Sequence, residues 1–125
     1  MSELWDKALE FAQDARLLLE AERYNGAASR AYYAMFNAGR ALLVEKHGIS
    51  LEAIKRHATI YRLFSVHFVA TGQFDGELAK ALGRASEVRK TADYDEMAVT
   101  AGQAKQICDA MERFLAMAES IRASK

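Results

Sequence analysis

The sequence predicts an all-α fold, an up-and-down helical bundle of four long helices plus a shorter helix, and three observations predict it. There is no proline and only seven glycines in 125 residues, so the residues that most often end helices are scarce. Apolar residues recur at intervals of three and four along most of the chain. The stretch from Ser29 to Leu43 mixes small alanines with bulky Tyr32, Met35, Phe36 and Leu42. A helix so built lets a neighbour approach closely at some turns and interlock with large side chains at others, which suits the centre of a bundle. A chain of this length is expected to form one domain over residues 1–125, with Tyr32, Met35, Leu42, Phe64, Leu82, Ile107 and Phe114 in a single core.

In chain order, Ser2 is a candidate N-cap for a first helix, whose apolar stripe is Leu4, Ala8, Phe11, Ala15 and Leu18 and which ends near Glu22. Asn25-Gly26 interrupts the pattern, and a second helix is expected from about Ala27 to His47, with Gly48 placed for a left-handed C-terminal residue. These two helices should form an antiparallel hairpin. Ser50 is a candidate cap for a third helix carrying Ile54, Tyr61, Phe64 and Phe68, with a late start because Lys55-Arg56-His57 breaks the apolar line, and with an end at Thr71-Gly72-Gln73. Asp75 should cap the fourth helix, along Leu78, Leu82, Ala85, Val88 and Ala92. Thr100 should cap the fifth, along Ala104, Ile107, Met111, Phe114, Ala118 and Ile121. Trp5 and Phe74 fit either the core or an aromatic anchor for a partner.

Composition excludes several function classes. Lys plus Arg equals Asp plus Glu at 17 each, so no global field draws the protein to nucleic acid or anionic lipid, and any polyanion site must be local. A single cysteine, Cys108, allows no intramolecular disulfide and no thiolate zinc cluster within the chain. Paired Glu-x-x-His segments, a P-loop and a dinucleotide fingerprint are all missing, so no metal and no cofactor is expected. No apolar run approaches eighteen residues and no signal-peptide core is present, which predicts a cytoplasmic protein without a membrane span.

Two constellations carry possible chemistry. In Arg89-Lys90-Thr91-Ala92-Asp93-Tyr94-Asp95, Arg89 lies seven residues after Leu82 and hence on the edge of the buried seam, beside an acidic and phenolic turn. Either Arg89 ties down Asp93 and fixes the exit from the fourth helix, or the guanidinium fork and the tyrosine form an anion site. The second constellation is Lys55-Arg56-His57, where His57 is either a hydrogen-bonded core residue or, if the turn folds toward Arg89, part of a cationic cluster able to hold a phosphodiester. Arg40 and His47 share a helix face but stand two turns, roughly 10 Å, apart.

The run Ser29-Arg-Ala-Tyr-Tyr-Ala-Met-Phe-Asn-Ala38, the Lys55-Arg-His-Ala58 turn, a Phe-rich third helix ending in Thr71-Gly72, and Arg89-x3-Asp93-Tyr94 together resemble the HEPN family (higher eukaryotes and prokaryotes nucleotide-binding domain), and in particular its small stand-alone prokaryotic members. The resemblance covers nearly the whole chain. It implies a bundle of about four long helices, usually homodimeric, that binds a nucleotide or short RNA and works with a minimal nucleotidyltransferase, as in toxin–antitoxin pairs. Many members are metal-independent ribonucleases with an Arg-x4-6-His motif. Carried over, Arg89 takes the arginine position with Asp93 beside the motif's end, but Tyr94 stands where histidine is expected. The resemblance therefore implies weak or absent cleavage, with Lys55, Arg56, His57 and Lys90 as ligand contacts. The other reading of the same residues is a helical dimerisation subunit with no ligand of its own.

Overall fold

The computed structural model describes residues 3–94 and 98–124, apart from the side chains of His57 and Tyr94. Among the described residues there are five α-helices and no strand: α1 Glu3–Glu20, α2 Tyr24–His47, α3 His57–Phe64, α4 Gly76–Tyr94 and α5 Ala101–Ala123. Four are long, and α3 is the short one, as the periodicity predicts. Ser2, expected to cap α1, lies outside the described residues.

The caps explain where the later helices begin. Asp75 Oδ1 accepts from the backbone N–H of Glu77 at 2.8 Å and of Leu78 at 3.3 Å, and so starts α4. Thr100 and Gln103 form a reciprocal capping box at the start of α5, with bonds of 3.1 and 3.0 Å. Gly48, at φ 62°, ends α2 in the left-handed region and donates its N–H to Val44 O. The third segment is discontinuous. A 3-10 turn, Glu52–Ile54, buries Ile54; α3 then begins at His57 and passes into a π-helical turn, Ser65–Val69. Lys55 and Arg56 sit in the gap, where their interruption of the apolar line predicted a late start.

Two boundaries differ from expectation. Ser50 Oγ accepts the Ala53 N–H at 3.3 Å at the head of the 3-10 turn, and α3 begins after the extended Arg56 without a side-chain cap. The α1–α2 turn lies at Ala21–Arg23, with Glu22 at φ 60°, rather than at Asn25-Gly26, which belong to the first turn of α2. Both residues serve tertiary contacts there. Asn25 Oδ1 accepts the Val99 N–H at 2.8 Å, and a Cβ on Gly26 would stand 3.1 Å from Leu18 Cδ1, so the glycine lets α1 and α2 close on each other.

α2 is the axis of the bundle. Between Ala27 and Leu43 only Arg30, Tyr33 and Arg40 escape full burial. Ala8, Ala12 and Ala15 present a stripe of methyl groups from α1, its main neighbour being α2. Farther along the bundle the core is aromatic: Phe64, Phe74 and Phe114 meet with ring centroids 4.8 to 5.5 Å apart, and Phe68 lies 5.0 Å from Phe64. All seven residues expected in the core are buried. Trp5 and Phe74 are core residues and not exposed anchors; Phe74 is wedged among the phenylalanines, and Trp5 lies beneath the Arg122 guanidinium at 4.4 Å. No helix among the described residues is long and apolar enough to cross a membrane.

Candidate functional site

The α4 register sets the position of Arg89. Leu78, Leu82 and Ala85 are buried along one seam of α4, and continuing that seam two turns past Leu82 brings Arg89 to its edge. The guanidinium there lies over the Tyr32 ring at 5.3 Å and the Tyr33 ring at 5.7 Å, both on α2. Its side chain is 11% exposed, and among the described residues its one ion pair is a long contact of 3.6 Å from Nη1 to Asp93 Oδ2. Nε is buried and has no hydrogen-bond partner among the described residues. A buried donor left without an acceptor is costly, so a charged fork in this state is ready to accept an anion.

Beside it opens a pocket of about 480 Å³ between α2, α3 and α4, lined by Tyr32, Phe36, Ala58, Tyr61, Ser86 and Lys90 among others. Burial pushes the Tyr32 phenol up to about 12 against the opposing effects of its hydrogen bond with Ser86 and of the nearby Arg89. At neutral pH Tyr32 is therefore a neutral aromatic floor and not a base. Tyr61 forms the outer wall, 38% exposed. Its ring lies against Gly83, where a Cβ would stand 3.1 Å from Tyr61 Cε2. Lys90 is exposed and pairs loosely with Glu87 at 3.4 Å.

The structure thus brings Arg89, Lys90 and Asp93 together and separates them from part of the second cationic constellation. Ala58 lines the Arg89 pocket, but Lys55 lines a different groove with Arg40 and pairs with Glu52 at 3.2 Å. Arg56 is exposed. The side chains of His57 and Tyr94 lie outside the described residues. Arg40 and His47 have separate surroundings: Arg40 lies over Phe36 at 5.4 Å, and His47 packs against His67 at 4.4 Å and Phe68 at 5.0 Å. Among the described residues no group of three His, Cys, Asp or Glu side chains could hold a metal ion.

Sequence reasoning missed the aromatic lining, because Tyr32, Phe36 and Tyr61 read there as bundle-facing residues. The one available signal was Gly83 in the middle of a helix, where glycine is unfavourable unless something approaches closely.

A four-long-helix bundle with an arginine held on α4 above the aromatic face of the central helix defines the class, and the comparison with known families agrees. The chain belongs to the HEPN domain family, whose model matches residues 1–121. Its relatives include a UPF0332 protein of Thermotoga maritima, 42% identical over 96 residues that make up 76% of this chain and 70% of that protein. A UPF0332 protein of Gloeobacter violaceus is 31% identical over 120 residues, 96% of this chain and 86% of the relative. A protein of Methanocaldococcus jannaschii named as a candidate toxin is 34% identical over 95 residues, 76% of this chain but only 62% of the relative.

Proposed function

We propose that this chain is a HEPN-type module of a toxin–antitoxin pair that binds a nucleotide or short RNA in the Arg89 pocket, as a homodimer in the cytoplasm and together with a nucleotidyltransferase protein. The observation that carries this reading is Arg89 itself, nearly buried on two tyrosine rings, with its Nε unpartnered among the described residues beside an open pocket. A phosphate oxygen would supply the missing acceptor, Lys90 would add charge at the rim, and Tyr61 offers a face on which a base can stack. The relative named as a candidate toxin supports the biological setting. Cleavage is expected to be weak or absent, since a phenol with its ordinary pKa near 10 serves poorly where the family's motif has histidine for proton transfer at neutral pH.

The competing reading, a dimerisation subunit without a ligand, draws on the Arg89–Asp93 contact, which partly engages the guanidinium inside the chain. Fluorescence anisotropy with a labelled oligoribonucleotide separates the two. On the proposed reading Arg89→Ala weakens binding tenfold or more, about 1.4 kcal/mol, and Tyr94→His raises cleavage above that of the unaltered protein. No saturable binding by the unaltered protein would favour the ligand-free subunit, and affinity unchanged by Arg89→Ala would place the site elsewhere. Recovery of the protein as a monomer, or with no nucleotidyltransferase when isolated with its native partners, would remove that part of the proposal.

A further inference from the structure

A second arginine, on the other side of Phe36, has no counter-ion among the described residues. Arg40 is half-buried on α2 with its guanidinium over the Phe36 ring at 5.4 Å. Asn37 Oδ1, at 3.2 Å from Nη1, is its one hydrogen-bond acceptor among the described residues. Asn37 is itself buried and fixed by donating from Nδ2 to Tyr33 O at 2.8 Å, so it holds the guanidinium in place. Nε is buried and unpartnered among the described residues. Burial lowers the pKa of this arginine.

The guanidinium borders a groove of about 610 Å³ between α1, the C-terminal half of α2 and the 3-10 turn. Its apolar walls are Leu4, Val44 and Leu51, and Leu51 stands 56% exposed at the lip. Three cations, Lys7, Arg40 and Lys55, and three carboxylates, Glu3, Glu45 and Glu52, also line it. Two of the carboxylates are engaged, Glu45 with Arg122 at 2.8 Å and Glu52 with Lys55 at 3.2 Å. A groove lined by balanced charge with one buried unpaired guanidinium suits a single negative charge, and a polyanion would meet repulsion from the three glutamates.

We propose that this groove is a separate binding site for a small monocarboxylate carrying a compact apolar group, with the carboxylate on Arg40 and the apolar part against Leu4, Val44 and Leu51. The volume is that of a small-molecule site. The inference stands independently of the reading of the Arg89 pocket.

The test is calorimetric titration of the full chain with 3-phenylpropionate, alongside 3-phenylpropan-1-ol and phenyl phosphate. The acid should bind with a Kd of about 1 mM or tighter, and both the neutral alcohol and the dianionic phosphate should bind at least about tenfold more weakly. R40Q should abolish binding of the acid. Because Arg40 is half-buried and its replacement can perturb folding, L51D provides the second variant: Leu51 is exposed, and a carboxylate at the lip should repel the probe and weaken binding about tenfold without loss of helical structure. Equal affinity for acid and alcohol, no saturable binding up to about 10 mM, or full binding by a folded L51D would each overturn the proposal.

Discussion

The two flanks of α2 are built from different residues and do different things. Toward α1 it meets a stripe of alanines, Ala8, Ala12 and Ala15, all fully buried, with Gly26 allowing Leu18 to close on the backbone. Small side chains let the helices approach until no room remains. Toward α3 and α4 it presents Tyr32 and Phe36, and there the helices stand apart around the Arg89 pocket. Large rings stacked with guanidinium groups act as spacers: they pack well, but leave space at their margins. One helix thus provides both the tight hairpin that secures the bundle and the open side where ligand chemistry is available.

The largest expected effect tests whether the open flank rests on a rigid base. Phe64 lies beneath it, in contact with Phe68, Phe74 and Phe114, and Phe64→Ala should cost about 3–5 kcal/mol in chemical denaturation. A cost below about 1 kcal/mol would mean that the aromatic cluster is loose and that the pockets are not held open by it. On the closed flank, Ala12→Leu should destabilise by about 1–3 kcal/mol through overpacking. If it is tolerated without loss, the hairpin has slack and the contrast between the flanks fails.

A third variant should move stability and binding in opposite directions. Gly83→Ala replaces a mid-helix glycine, which favours the helix by about 0.5–1 kcal/mol, and Tyr61 is exposed enough to shift by the few tenths of an ångström the new Cβ requires. The displaced ring narrows the Arg89 pocket, so thermal stability should rise while oligoribonucleotide affinity falls. A rise in both would take Tyr61 out of the binding wall. The smallest effect concerns the surface of the closed flank, where Arg16 and Glu112 join α1 to α5 through two hydrogen bonds of 2.6 Å. The bond from Arg16 holds the Glu112 carboxyl below its ordinary value of 4.5. A depressed folded-state pKa contributes stability above about pH 4.5 that is lost as pH falls through the folded value. With both side chains about half exposed, the contribution should be no more than a few tenths of a kcal/mol. Arg16→Gln should therefore barely change the stability–pH curve near neutrality and flatten it slightly below pH 4.5; a larger effect would mean that charge, and not packing, secures this flank.

Much of the fold was legible in the chain because its determinants are local. Asp75, Thr100 and Gly48 mark helix ends through bonds to residues two to four positions away, and the apolar period set which face of each helix is buried. The same logic placed Arg89 on the edge of the α4 seam. It misplaced the first turn because Asn25 and Gly26, which locally read as a break, answer to Val99 and Leu18, distant in sequence.

By itself, then, the sequence determined the helices, the helix ends at Gly48, Asp75 and Thr100 and the membership of the core, since each follows from hydrogen bonds and side-chain spacing within a turn or two. Only the tertiary structure decided what those helices enclose. The segment between Gly48 and His57 carries Lys55 to the Arg40 groove and Ala58 to the Arg89 pocket, on the two sides of Phe36, although the two residues are three positions apart. That division depends on how a non-helical turn crosses α2, and no local period encodes it. Likewise the buried Nε atoms of Arg40 and Arg89 arise only once their helices are packed, because burial removes water from a donor for which the described residues supply no acceptor.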